Sequence, residues 1–223
     1  MFKERVVILT GAGGNLGHEL ALNLAKAGAL LSLVDKEIEG LSQLTNECRD
    51  LGAKAISIQA DLAREDQCQK IVDETFKQYG KIDLLINCAA FIEKEYFERL
   101  PDLKSLKTTM EVNYLGAVYC TKYALPYLKK SQGQIVTIVS ILGKIATPGN
   151  TAYCGSKYAL VGFFEALRLE LRKDRVAITM VYPGYLAERM KGKKELKSNS
   201  IFKKMNKVRK LIKEKGGILW NLK

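Results

Sequence analysis

Tyr153-Cys154-Gly155-Ser156-Lys157 opens a long stretch with helical spacing, and residues four apart on a helix share a face, so Tyr153 and Lys157 point the same way. A phenol gives up its proton only at about pH 10, and a neighbouring ammonium lowers that value by stabilising the phenolate. Such a pair supplies an acid or base usable near neutrality. Cys154, between them, reads as a small core residue rather than a redox centre, because thiolate reactivity needs an electropositive, accessible setting.

A second constellation lies near the N-terminus. The apolar run Val6 to Thr10 leads into Gly11-Ala12-Gly13-Gly14-Asn15-Leu16-Gly17 and then into a helical pattern. A glycine-rich turn at a helix N-terminus offers free backbone N–H groups and the positive end of the dipole, which together can seat a pyrophosphate. The next apolar run, LLSLVD, ends on Asp35, 24 residues after Gly11. That is close to the offset of about 20 at which an acidic group meets the adenosine ribose 2′-hydroxyl. A carboxylate there accepts hydrogen bonds from a diol and repels a 2′-phosphate, which favours NAD, whereas the adjacent Lys36 argues for NADP. His18, in the first helical turn, reads as solvent-facing or locally bonded rather than as a phosphate ligand.

These groups need a scaffold, and the periodicity supplies one. Short runs rich in Val, Ile and Leu predict strands at about 5–10, 30–35, 54–59, 82–86, 134–140 and 176–181. Helical spacing predicts helices near 15–28, 38–51, 64–79, 103–130 with a possible break, and 152–173. Gly28, Gly52 and Gly80 stand where three of these helices should stop. Strand and helix alternate throughout, the pattern of a single-domain α/β fold with a doubly wound parallel sheet.

Several of these segments resemble the short-chain dehydrogenase/reductase family. Its usual glycine motif is TGxxxGxG; TGAGGNLG here has Asn15 at the middle glycine. The string also satisfies TGxxGxxG, the spacing of the family's extended, sugar-nucleotide-modifying branch, so this motif alone leaves the subfamily open. Asp61-Leu62 resembles the family's adenine contact, and Asn87-Cys88-Ala89-Ala90 stands where NNAG is expected, with Cys88 and Ala90 replacing Asn and Gly. Ser140 lies 13 residues before Tyr153, and Asn113 lies 27 before Ser140, spacings that match the family's Asn-Ser-Tyr-Lys tetrad. The resemblance implies an NAD-dependent oxidoreductase interconverting a secondary alcohol and a ketone. In it Tyr153 would exchange the proton with the substrate oxygen, Ser140 would hydrogen-bond that oxygen, and Lys157 would bind the nicotinamide ribose and depress the Tyr153 pKa. Asn113 would support a water relay to Lys157, and Pro183-Gly184 resembles the turn beside the nicotinamide, although Glu188 stands where the family often has Thr. The segment carrying Leu160, Phe163, Phe164, Leu167 and Leu171 reads as helix packing, and the resemblance implies a homodimer or homotetramer. The alternative function is a dinucleotide-binding protein with weak or no turnover, attached to a membrane or partner through its tail.

Length and charge bound these readings. The chain has 223 residues, enough for one domain to bury a core without disulfides or metals. Five cysteines without a CxxC pair, and a single histidine, predict a reducing compartment and no metal site. No apolar stretch of about 18 residues and no leader-like start are seen, so a cytoplasmic protein, peripheral at a membrane at most, is expected. The formal charge of +12 is uneven: residues 1–188 hold 23 basic and 22 acidic side chains, and residues 189–223 hold 13 and 2. Within that tail, 198–215 reads as a basic amphipathic helix with Ile201, Phe202, Met205, Val208, Leu211 and Ile212 on one side. It suits a substrate-side lid, or an anionic membrane surface beside a lipidic substrate. Specific nucleic-acid binding is not expected, because the tail lacks platforms for base stacking.

Overall fold

Buried strands of a parallel sheet must be apolar on both faces, and the six runs singled out above form one. In the computed structural model, which describes residues 2–184, they are β1 (Val6–Thr10), β2 (Leu30–Asp35), β3 (Ala55–Gln59), β4 (Leu84–Asn87), β5 (Gln134–Ile138) and β6 (Ala177–Val181). All pairs are parallel, in the order β3-β2-β1-β4-β5-β6. The order reverses between β1 and β4, and in open sheets of this kind ligands bind beyond the carboxyl ends of the strands at that crevice. The sheet is therefore doubly wound, with helices on both faces.

The helices are α1 (Asn15–Lys26), α2 (Ile38–Asp50), α3 (Glu65–Tyr79), α4 (Lys104–Met110), α5 (Gly116–Ser131) and α6 (Thr151–Glu170). Alternate residues of β1 serve opposite layers. Ile8 joins a core with Ile71 and Val72 of α3, Ala124 and Leu128 of α5, and Leu160 and Phe164 of α6. Val7 and Leu9 join another with Leu20 and Leu24 of α1 and Leu41 and Leu44 of α2. Gly28, Gly52 and Gly80 follow α1, α2 and α3 with positive φ, the left-handed conformation that lets the chain turn off a helix at little steric cost.

The expected helix over 103–130 is divided. A π-helical turn, Glu111–Leu115, separates α4 from α5 and carries Asn113. The wider turn breaks the 3.6-residue register, so α4 and α5 present different faces, and such turns frequently occur at functional sites. The expected last helix ends at Glu170 and tightens into a 3-10 turn, Leu171–Asp174. Among the described residues no helix is long and apolar enough to cross a membrane, and no group of three or more potential metal ligands occurs. The basic 198–215 segment and Glu188 lie outside the described residues.

Candidate active site

Thr10, at the end of β1, ties the two halves of the switch point together. Its hydroxyl donates to the Ile86 carbonyl at 3.3 Å and accepts from the Cys88 and Ala89 amides at 3.1 and 3.4 Å. The β1–α1 turn and the segment after β4 consequently touch. A Cβ on Gly11 (φ +67°) would lie 2.5 Å from the Ala89 Cα, and one on Gly17 would lie 2.0 Å from the Gly11 carbonyl oxygen. Only glycine fits these two positions. Asn15, by contrast, is the exposed first residue of α1, so the departure at the middle glycine is accommodated; Leu16 beside it is half-buried.

The residues at this end suit a dinucleotide. Gly14 caps α1 without a side-chain hydrogen bond, and the first turn holds no acidic residue, so its N–H groups are available to an anion. Asp35 Oδ2 accepts from the Gly13 amide at 2.8 Å, and Oδ1 accepts from the Lys36 amide at 2.8 Å. The carboxylate thus sits beside the glycine turn, where a ribose diol would meet it. Lys36 pairs instead with Asp61, Nζ to Oδ2 at 2.8 Å. Leu62 is buried against Gly116, whose own Cβ would come within 2.8 Å of the leucine side chain. Asn87 is buried, donates to Thr121 Oγ1 at 3.3 Å and leaves its Oδ1 without a partner among the described residues.

Beyond the turn, β5 and α6 bring the other constellation to the same end of the sheet. Ser140 follows β5 in extended conformation and its Oγ accepts from the Leu142 amide at 3.1 Å. The Ile141 amide donates to the Pro183 carbonyl at 2.9 Å, so the Pro183-Gly184 turn after β6 lies against the Ser140 segment. Tyr153 and Lys157 stand one turn apart near the start of α6, with Lys157 Nζ 5.4 Å from the centre of the Tyr153 ring. Lys157 is 1% exposed and donates to the Ile138 carbonyl at 3.1 Å. Asn113 reaches this cluster through Ser156, to whose Oγ it donates at 3.1 Å, while Oδ1 and Nδ2 also pair with the Phe91 backbone at 2.6 and 2.9 Å. Its side chain therefore fixes the segment after β4 to α6, without contacting Lys157 directly. Sequence reasoning did not single out Ser156 and Thr10, although both lie inside the motifs named above.

The electrostatics differ from the sequence-based expectation in one respect. Burial holds Tyr153 above the usual phenol range, and the hydrogen bond to Ser140 pulls it back only in part. Burial acts on Lys157 itself and brings its pKa down to about 8, with Cys88 pulling weakly the other way. Burial also pushes the Cys88 thiol up to about 12, and Cys154 is a buried residue of α6, so neither is set up as a reactive thiolate. His18 of α1 reaches across to α2, its Nε2 3.3 Å from Glu47 Oε2.

Comparison with known proteins identifies the family. The family model of short chain dehydrogenases matches residues 5–199. The chain is 37% identical over 183 residues to 11-beta-hydroxysteroid dehydrogenase A of Sesamum indicum, covering 82% of this chain and 52% of that protein. It is 39% identical over 191 residues to the protein of the same name from Arachis hypogaea, covering 85% and 54%. The chain thus spans about half the length of the curated relatives it matches. Among solved structures, an NAD+-bound xylitol dehydrogenase superposes with a TM-score of 0.80 at 29% identity, covering 84% of this chain and 72% of that one. An NADH-dependent reductase A1-R′ complexed with NAD shares the fold, with a TM-score of 0.77. With the family model spanning most of its length, the chain belongs to the short-chain dehydrogenase family.

Proposed function

We propose that this chain is an NAD-dependent oxidoreductase that interconverts a secondary alcohol and a ketone, with Tyr153 as the acid and base. The observation that carries this reading is the meeting of Ser140, Tyr153 and the buried Lys157 at the carboxyl end of the sheet, beside the glycine turn that faces Asp35. A bound nicotinamide dinucleotide supplies the hydride. The chain's own residues hold it and manage the proton: α1 receives the pyrophosphate, Asp35 the adenosine ribose, Asp61 and Leu62 the adenine. Asn87, Cys88 and Ala89 line the approach, and Lys157 with Tyr153 takes the nicotinamide ribose.

Ser140 and Tyr153 hydrogen-bond the carbonyl oxygen. Tyr153 keeps its proton at neutral pH, so it can donate to the alkoxide that develops as a ketone is reduced. The segments after β4 and β5 expose Phe91, Ile92, Tyr96, Phe97, Ile141 and Ile145, a rim that fits a bulky apolar ketone. On α6, Leu169 and Tyr158 are exposed and support pairing of two copies of the chain.

The test is NADH oxidation by wild type and Tyr153→Phe against sterol, 3-oxoacyl and sugar ketones. Wild type should reduce an apolar ketone, and the variant should retain NADH binding while losing about two to four orders of magnitude in turnover. Binding without turnover on any ketone would instead favour a dinucleotide-binding protein, in line with the Cys88 and Ala90 departures.

A further inference from the structure

Asp35 and Lys36 are adjacent in sequence, yet their side chains part at the end of β2. The sheet order puts β1 on one side of β2 and β3 on the other. Asp35 turns toward β1, where Oδ2 accepts the Gly13 amide at 2.8 Å. Lys36 turns toward β3, where Nζ meets Asp61 Oδ2 at 2.8 Å, just before α3. Both ends of that ion pair are held. The Lys36 carbonyl accepts from Gln59 Nε2 at 3.0 Å. The Asp61 Oδ1 accepts from the Ala63 amide at 3.0 Å, and the Asp61 amide donates to Gln67 Oε1 at 2.6 Å. The hydrogen bond between the two raises the Lys36 pKa and lowers that of Asp61, so both remain charged across the neutral range.

We infer that Asp61 is a specificity-determining positioning residue: by holding the Lys36 ammonium on the β3 side of β2, it keeps that cation from the 2′ position and leaves Asp35 to decide for NADH against NADPH. The inference rests on the dinucleotide reading proposed above. Without Asp61, the lysine stem is free to swing its charge toward the turn beside Asp35, where a 2′-phosphate would lie. An ammonium is a mobile point charge on a flexible stem, so position governs its effect. The pair is partly exposed, with side-chain exposures of 68% for Lys36 and 27% for Asp61, so its restraint is worth about two- to fivefold in an equilibrium.

The experiment measures dissociation constants of NADH and NADPH from the fluorescence of the reduced nicotinamide, using the full chain. Wild type, Asp61→Asn, Lys36→Met and the double variant are compared. Whatever Asp61 contributes to holding the adenine is common to both nucleotides and cancels in the ratio of their constants. Asp61→Asn should move that ratio toward NADPH by about two- to fivefold. In the Lys36→Met background, the same substitution should leave the ratio unchanged. A ratio insensitive to Asp61→Asn, or one that moves equally in both backgrounds, overturns the inference while leaving the NADH preference of wild type standing. Binding of neither nucleotide by wild type overturns the dinucleotide reading and the inference with it.

Discussion

Replacing Lys157 with Met should stabilise the protein at neutral pH while removing its activity. Lys157 is 1% exposed, and burial brings its pKa to about 8 against an ordinary 10.5. A gap of about 2.5 between the folded and unfolded values corresponds to about 3 kcal/mol at 1.36 kcal/mol per pH unit. The sign is unfavourable to the fold: between these values the unfolded chain binds more protons, so the penalty is fully present below about pH 8 and is relieved as pH rises toward 10.5. Met fills a similar volume without charge. It forfeits the charge-assisted hydrogen bond to the Ile138 carbonyl, a loss of about 1.5 kcal/mol. The variant should therefore gain about 2 kcal/mol at pH 7, or a rise of about 4 to 8 °C in Tm for a chain of this size. By pH 9.5 the wild-type penalty has fallen to about 1.4 kcal/mol and the gain should nearly vanish. Urea unfolding at pH 7 and 9.5 reads both quantities. A variant no more stable than wild type at pH 7, or a gain that does not shrink with pH, would refute the claim that a buried cation is held here at the expense of stability.

Two further outcomes follow from the site. Gly17→Ala places a Cβ 2.0 Å from the Gly11 carbonyl, and backbone on backbone has little room to yield; a loss of at least about 2 kcal/mol in urea unfolding is expected, with weakened NADH binding. Unchanged stability would show that the turn is looser than its packing implies. Wild type should bind NADH at least about tenfold more tightly than NADPH, or about 1.4 kcal/mol, because Asp35 faces the glycine turn. Equal affinities in a direct titration would take that role from Asp35.

What the sequence made legible were features set by local chemistry. Gly28, Gly52 and Gly80 mark helix ends because a left-handed residue after a helix is a local demand, and all three have positive φ. The glycine turn and the Tyr153–Lys157 pair were readable because a turn and a helix face are short-range objects. The π-helical turn around Asn113 was not, since apolar periodicity cannot separate one wide turn from a plain break. Nor was the raised Tyr153: burial depends on how α6 meets the sheet, and an expectation based on the neighbouring ammonium alone gave the opposite direction. The bond from Lys36 to Asp61 joins residues on successive strand ends, and only the sheet order selects it. Ser156 and Thr10 lie within recognisable motifs, but their roles arise from contacts with Asn113 and with the Cys88 and Ala89 amides, far off in sequence.

The pairing of β1 with β4 also bears on how the chain acquires its shape. Val7 aligns with Leu84, so β1 waits for α1 and two complete βα units to be made before its second neighbour exists. Contacts this distant close slowly, because loop entropy is lost before they reward it. On a ribosome, β1, β2 and β3 with α1 and α2 can assemble first, while one side of β1 presents unpaired backbone amides and carbonyls. That open edge is the interval in which a nascent chain is most prone to pair with the wrong strand. The proposed active site assembles later still, because Ser140, Tyr153 and Lys157 converge only after β5 has docked on β4. Synthesis rate and chaperone supply should then influence the yield of folded molecules.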